Sequence, residues 1–330
     1  PSRSPFSLTD NADCLLGAHV LPMNYNASRR WELSTVKFID LFAGIGGFHL
    51  GMSSAGAECV FVSEWDAAAR KTYRHNFENH SPAIFGDDDQ WFAGDITQVT
   101  QGPKLKTAIP EFDVLCAGFP CQPFSQAGLK KGLDETRGTL FFDILKILET
   151  KKPKAFFLEN VRGLLSHRSP NGLATMDVIR SQLTATGYHF GEYLVRASDY
   201  GVPQHRPRLF IVGFRSERVF DNFVPPKPRP IETSLNQIMG GETGRTIGFT
   251  LRVGGRRSGL HDRRNWDTYL VDGVEKTLTS AEGLQMQGFP SWFEFPSGVS
   301  ETQAMKQLGN SVAVPAISEF SKAIVRALKI

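Results

Sequence analysis

From Val36 onward the hydrophobic positions fall into short runs closed by glycine or proline, alternating with stretches where apolar residues recur every three to four positions. Short bounded runs predict buried strands, and the wider spacing predicts amphipathic helices. Val36 to Phe42 is the first run, broken only by Asp40. Ala43-Gly44-Ile45-Gly46-Gly47 then leads into a helical pattern that lasts to Ala55. Glu58 to Ser63 is the second run, followed by Glu64. Gly94-Asp95-Ile96-Thr97 marks the end of a third strand. Asp113 to Ala117 and Lys154 to Leu158 form a fourth and a fifth, with a helix between them at about Leu140 to Glu149. Strand and helix in alternation predict an α/β fold, a Rossmann-like doubly wound sheet of strand order 3-2-1-4-5. Strands four and five are then neighbours, and the residues that follow them meet at one carboxyl edge.

The alternation stops at Arg215. Pro225-Pro226-Lys227-Pro228-Arg229-Pro230 predicts a stiff linker and a domain boundary. Beyond it, Arg245, Arg252, Arg256, Arg257, Arg263 and Arg264 fall within twenty residues whose only carboxylate is Asp262. Such density reads as a footprint for phosphates, and arginine also pairs with guanine O6 and N7; a solvated basic loop is the plainer alternative. The chain thus divides into an N-terminal extension over residues 1–35, an α/β domain over 36–215 completed by 305–330, and a second region with its hinge over 216–304.

Composition narrows the classes. With 41% hydrophobic and 22% charged residues, the balance is that of an ordinary soluble globular protein. The net charge is only +3, so any nucleic-acid surface is local. The four cysteines, Cys14, Cys59, Cys116 and Cys121, form no Cys-x-x-Cys pair, which supports neither zinc nor a disulfide framework and suggests the cytoplasm. No run reaches the roughly 18 apolar residues of a membrane span. Cys14 to Met23 is mildly apolar but preceded by Asp10 and Asp13, which is wrong for a signal peptide.

Candidate chemistry gathers at the predicted strand ends. Gly44, Gly46 and Gly47 stand where backbone N–H groups approach a ligand at a helix N-terminus, although a purely structural turn fits this spacing equally well. Glu64, twenty positions after Gly44, is placed to grip ribose hydroxyls, and Trp65 offers a flat face to an adenine ring. Without a phosphate-loop lysine, a nucleoside lacking a pyrophosphate fits better than NAD or ATP, and S-adenosylmethionine is such a ligand. Asp95 suits either the adenine amino group or a helix N-cap. Cys121, on the loop after strand four, reads as a nucleophile or as a small buried hydrophobe, a description that fits Cys116 better. Glu159 ends strand five beside it; a surface salt bridge is the alternative, but Ala155-Phe156-Phe157-Leu158 argues for a buried rim.

Together these residues resemble the C5-cytosine DNA methyltransferase family, in its small bacterial restriction–modification form, from about Lys37 to Pro315. Phe38-Ile39-Asp40-Leu41-Phe42-Ala43-Gly44-Ile45-Gly46-Gly47-Phe48 resembles the family's first motif. Gly118-Phe119-Pro120-Cys121-Gln122-Pro123-Phe124-Ser125 resembles the nucleophile motif, and Glu159-Asn160-Val161 the acid motif. Gln204-His205-Arg206-Pro207-Arg208 is similar to the family's Gln-x-Arg-x-Arg. Gln287-Gly288-Phe289-Pro290 and Gly309-Asn310-Ser311-Val312 resemble its two closing motifs.

The resemblance implies a DNA cytosine-5-methyltransferase that uses S-adenosylmethionine, releases S-adenosylhomocysteine and needs no metal. Cys121 would add to C6 of a cytosine flipped out of duplex DNA, Glu159 would act at N3, and Arg208 would contact O2 with Arg206 close by. It also implies cofactor contacts from Phe42, Gly44, Gly46, Gly47, Glu64, Trp65, Asp95, Ile96, Pro120, Leu140, Asn310 and Ser311. Contacts with double-stranded DNA are implied for Gln122, Ser125, Arg137 and Gln204, and for Arg252, Arg256, Arg257, Arg263 and Arg264 of a target-recognition domain reading a G·C-rich site. Gln122 to Gly138, with Lys130, Lys131 and Arg137, would be a mobile lid. The expected setting is a monomer in the bacterial cytoplasm, with a cognate restriction endonuclease acting separately as an open question. One motif departs: within 276–285 the family's arginines are replaced by Lys276 and Gln285, which puts packing of the recognition domain in doubt. A transfer-RNA methyltransferase of the same fold, a catalytically silent DNA-binding regulator and a dinucleotide oxidoreductase are the rival readings.

Overall fold

A computed structural model describes residues 35–102, 105–120, 140–168 and 172–329. The seven-stranded sheet consists of β1 (Lys37–Leu41), β2 (Glu58–Ser63), β3 (Phe92–Ala93), β4 (Val114–Gly118), β5 (Ala155–Val161), β6 (His189–Arg196) and β7 (Pro207–Phe214). Its order is β3-β2-β1-β4-β5-β7-β6. The first five strands are parallel in the predicted 3-2-1-4-5 order, and β7 and β6 extend the sheet antiparallel.

Side chains of successive strand residues go to opposite faces. Phe38, Cys59, Cys116 and Phe157 enter one core. Ile39, Phe61, Leu115 and Phe156 enter the other. Both faces are covered, so β1, β4 and β5 are buried almost throughout, as central parallel strands require. On the first face the Gly47–Ser54 helix meets the C-terminal Val314–Leu328 helix so closely that a Cβ on Gly51 would lie 2.4 Å from Ile317. The Leu140–Lys151 and Thr175–Ala185 helices pack on the second face.

The proline run is tied back to the sheet. Tyr200 Oη donates to the Pro226 carbonyl at 3.1 Å, and Arg229 N donates to Asp199 O at 2.8 Å. Beyond it, β8 (Thr268–Val271) and β9 (Val274–Thr277) form a hairpin that packs on a fully buried Trp266, whose Nε1 donates to Gly254 O at 2.8 Å. Lys276, standing where an arginine was expected, bonds the Met239 carbonyl at 2.7 Å and Glu282 at 2.8 Å, so it joins the hairpin to two helices. Among the described residues, no helix is long and apolar enough to cross a membrane.

Candidate active site

A cavity of about 1170 Å³ opens at the carboxyl edge of the sheet. The turn after β1 forms one wall. Phe42 holds φ at 56°, a strained value for a non-glycine residue, and Gly44 follows at 57°; both line the cavity. Gly44 has open space where a Cβ would stand, and its N–H donates to Glu64 Oε2 at 2.7 Å.

Gly46 and Gly47 differ from Gly44 in what surrounds them. A Cβ on Gly46 would fall 2.2 Å from the Phe77 ring, and one on Gly47 would fall 2.4 Å from Val312. Packing demands these two glycines, and neither lines the cavity.

Glu64 is buried, and its second oxygen accepts from Asp66 N at 2.7 Å. Burial raises its pKa, while the N–H donors of Asp66 and Gly44 oppose the rise. Beside it Trp65 is 81% exposed, leaving its indole face available. Arg70, which the sequence reading did not single out, donates to the carbonyls of Glu64, Phe92 and Ala93 and so fixes this edge of the sheet. Asp95 caps the Ile96–Thr100 helix through Oδ1, which accepts from Thr97 N at 2.9 Å, so its structural reading holds for one oxygen. Asp95, Ile96, Pro120 and Leu140 all line the cavity.

Gly118 of β4 lies in register with Glu159 of β5. Asn160 fixes the exit of the chain from β4 by donating Nδ2–H to Phe119 O at 2.9 Å. Glu159 is 8% exposed at the cavity wall, and its Oε1 accepts from Arg208 Nε at 2.8 Å. Burial raises the Glu159 pKa, and the positive charges of Arg208 and Arg206 restrain the rise. Arg208 reaches Glu159 because β7 runs antiparallel beside β5, which sets Val161 opposite Arg208. Cys121, Gln122, Ser125, Arg137 and the expected lid lie outside the described residues, as do residues 1–34 of the expected extension.

Three further expectations are corrected. Arg206 is 1% exposed, and its guanidinium donates to the carbonyls of Leu251 and Gly309, each at 2.9 Å, and of Ser311. It lines the cavity beside Arg208 and braces three segments there, so its guanidinium acts chiefly as a positioning group. Gln204 is fully buried, accepting from Leu251 N and donating to Met286 O, which leaves no amide group for DNA. Ser311 is buried outside the cavity wall, whereas Gly309 and Asn310 line it.

The Glu301–Asn310 helix also brings Gln303, Lys306 and Gln307 to the wall. With Asn310 they form an i, i+3, i+4, i+7 polar stripe opposite buried Ala304, Met305 and Leu308, a pattern visible in the sequence but not used there. Gln307 Oε1 accepts from Thr72 Oγ1 at 2.8 Å. Asp143, also missed, lines the cavity and accepts a hydrogen bond from Thr100, with its pKa raised by burial.

The basic segment divides. Arg252, Arg257, Arg263 and Arg264 are exposed, but Arg264 is paired with Asp262 at 2.7 Å. Arg256 is corrected from DNA contact to internal strut: it binds Glu301 at 3.1 Å and the Leu278 carbonyl, and lies 3.5 Å from a buried Asp267. A Cβ on Gly309 would fall 2.6 Å from the Arg252 backbone, so the basic segment and the cavity share a wall. Among the described residues, no group of His, Cys, Asp or Glu is arranged to hold a metal ion.

The family model for C-5 cytosine-specific DNA methylase matches residues 36–243 and 236–326. The chain is 36% identical over 322 residues to the type II methyltransferase M.HhaI of Haemophilus parahaemolyticus, covering 86% of this chain and 92% of that protein. It is 38% identical over 340 residues to the type II methyltransferase M.HpaII of Haemophilus parainfluenzae, covering 88% and 89%. Among solved structures, a mutant of Spodoptera frugiperda DNMT2 aligns at a TM-score of 0.64 and 19% identity, over 88% of this chain and 100% of that one. Entamoeba histolytica EhMeth aligns at 0.67 and 16% identity, over 89% and 99%. At these identities the two structures speak to the fold alone.

Proposed function

The chain belongs to the C-5 cytosine-specific DNA methylase family and is a DNA cytosine-5-methyltransferase; from that premise we propose that it methylates C5 of a cytosine turned out of duplex DNA, through a covalent Cys121–C6 bond. S-adenosylmethionine, when bound, supplies the methyl carbon. The cavity residues fit that molecule: Gly44 leaves open space, Glu64 and Asp95 each keep acceptor capacity for hydroxyl and amino groups, and the Trp65 face is free. Phe42, Ile96, Pro120, Leu140 and Asn310 would complete the holding set.

Cytosine C5 is a weak nucleophile in the intact ring. Attack of the Cys121 thiolate on C6 forms the S–C6 bond and moves an electron pair toward N3, where Glu159 provides a proton. Electron density then returns to C5, which takes up the methyl group. Loss of the C5 proton, departure of the sulfur as the Cys121 thiolate and return of the N3 proton to Glu159 restore the aromatic ring. Arg208, held on Glu159 at 2.8 Å, would turn its remaining donors to cytosine O2 and offset charge built there. Arg206 holds the floor on which these groups stand. Residues 216–304 would read the duplex, with Arg252, Arg257 and Arg263 on phosphates.

The observation that carries the reading is Glu159: a carboxyl desolvated at the cavity wall and paired with Arg208, its pKa raised by burial against the charges of Arg208 and Arg206. Duplex DNA containing 5-fluorocytosine tests it, because fluorine at C5 blocks loss of the final proton. With S-adenosylmethionine present, the wild type is expected to form a denaturation-resistant complex that Cys121→Ser does not form. Methyl transfer by Cys121→Ser at the wild-type rate, or preference for transfer RNA over duplex DNA, would overturn it.

A further inference from the structure

The arginines between 245 and 264 differ in what holds them. Arg256 is bound to carboxylates and Arg264 is clamped by Asp262. Arg252, Arg257 and Arg263 reach solvent with no polar side-chain partner among the described residues, which leaves them free to follow a phosphate. Arg245 is exposed too, yet its orientation is fixed. Its guanidinium carbon sits 4.1 Å from the centroid of the Phe249 ring, and that ring stacks on Tyr269 at 5.6 Å and 25°. Tyr269 is buried; its hydroxyl accepts from Phe249 N at 2.9 Å and donates to Trp266 O at 3.3 Å.

The backbone beneath is equally braced. Arg245 N donates to Thr243 Oγ1, which in turn bonds Asn236 at 2.6 Å. Gly248, one residue before Phe249, exchanges hydrogen bonds with Pro203 and His205, on the segment that leads into Arg208. The result is a stack of guanidinium, phenyl and phenol, built on a rigid base and tied to the strand that carries Arg208. Reading guanine O6 and N7 together requires a planar, oriented fork, whereas a phosphate contact requires only charge. A cation held over an aromatic face loses little side-chain freedom when it binds.

We infer that Arg245 is a specificity-determining residue that reads one guanine of the target site through O6 and N7. The inference deepens the reading of residues 216–304 as the DNA-facing region and rests on it. The test first maps the site by bisulfite sequencing of DNA from a methylation-free host that expresses the chain. Each guanine of the site is then replaced in turn by 7-deazaguanine, which removes the N7 acceptor alone. At one position the wild type is expected to lose roughly 5- to 150-fold in kcat/KM. Arg245→Ala should abolish that penalty at that position and leave the penalties elsewhere unchanged. Phe249→Leu, which keeps the charge and removes the platform, should reduce the same penalty in part.

Two results would overturn the inference while leaving the function intact. One is Arg245→Ala weakening all duplexes alike and lowering the salt slope by about 1, as loss of a phosphate contact does. The other is a wild type that methylates DNA and tolerates 7-deazaguanine everywhere. Absence of methylation on any duplex would instead bring down the parent reading.

Discussion

Around the cavity, three carboxyls are at least half-buried and each is held by named partners: Glu159 by Arg208, Asp143 by Thr100, Glu64 by two backbone N–H groups. Across residues 245–264 most arginines stand in solvent, and their partners, where they have any, differ case by case. The first arrangement suits groups whose protonation and aim must be set before a substrate arrives. The second suits a surface that meets a mobile polyanion. Counting arginines overstates that surface, because Arg256 and Arg264 already have carboxylates.

Four perturbations probe the contrast. The largest effect is expected from Glu159→Gln, which keeps the shape and removes the proton. Methyl transfer should fall by about 10²- to 10⁴-fold while duplex affinity stays within a few-fold, as single-turnover and binding assays on the same preparation would reveal. Equal losses of both would erase the distinction between the two regions.

Next is Arg256→Ala, which leaves Asp267 buried beside an empty strut. Stability should fall by roughly 3 kcal/mol, measured by urea denaturation, with little change in the salt dependence of DNA binding. A salt slope reduced by a full phosphate contact would put Arg256 back on the DNA.

A third probe uses pH. The Glu159 pKa is raised in the fold, so the carboxyl binds its proton more tightly there than in the unfolded chain. Its contribution to stability is therefore complete below its ordinary pKa and is lost as pH rises through the folded value. Proton donation by Glu159 declines over the same rise. Arg208 opposes the elevation, so Arg208→Ala should move the alkaline limb of kcat/KM to higher pH, in addition to slowing the reaction. A limb that stays in place would mean another group sets it.

The smallest effect belongs to Arg252→Ala, expected to leave stability unchanged and to reduce the salt slope of DNA binding by about 1.

The hydrophobic pattern sufficed for strands one to five and for setting β4 beside β5, because burial on both faces leaves a central strand little choice. It did not disclose that β7 and β6 extend the sheet antiparallel, a pairing between distant segments. Local chemistry was silent where a residue's partner lies far along the chain. Gly46 answers to Phe77, Gly47 to Val312, Gln204 to Leu251 and Met286, and Arg206 to Leu251, Gly309 and Ser311. Charge and glycine content say nothing of such pairings. Lys276 shows the converse, since an unexpected residue type still secures the joint.

The hub at Arg206 has an evolutionary corollary. All three of its acceptors are main-chain oxygens, which every amino acid carries alike. Substitutions at 251 or 311 that preserve the path of the chain therefore leave those acceptors in place. Such a fastening tolerates changes of side chain along these segments while Arg208 and Glu159 stay bolted to the same frame.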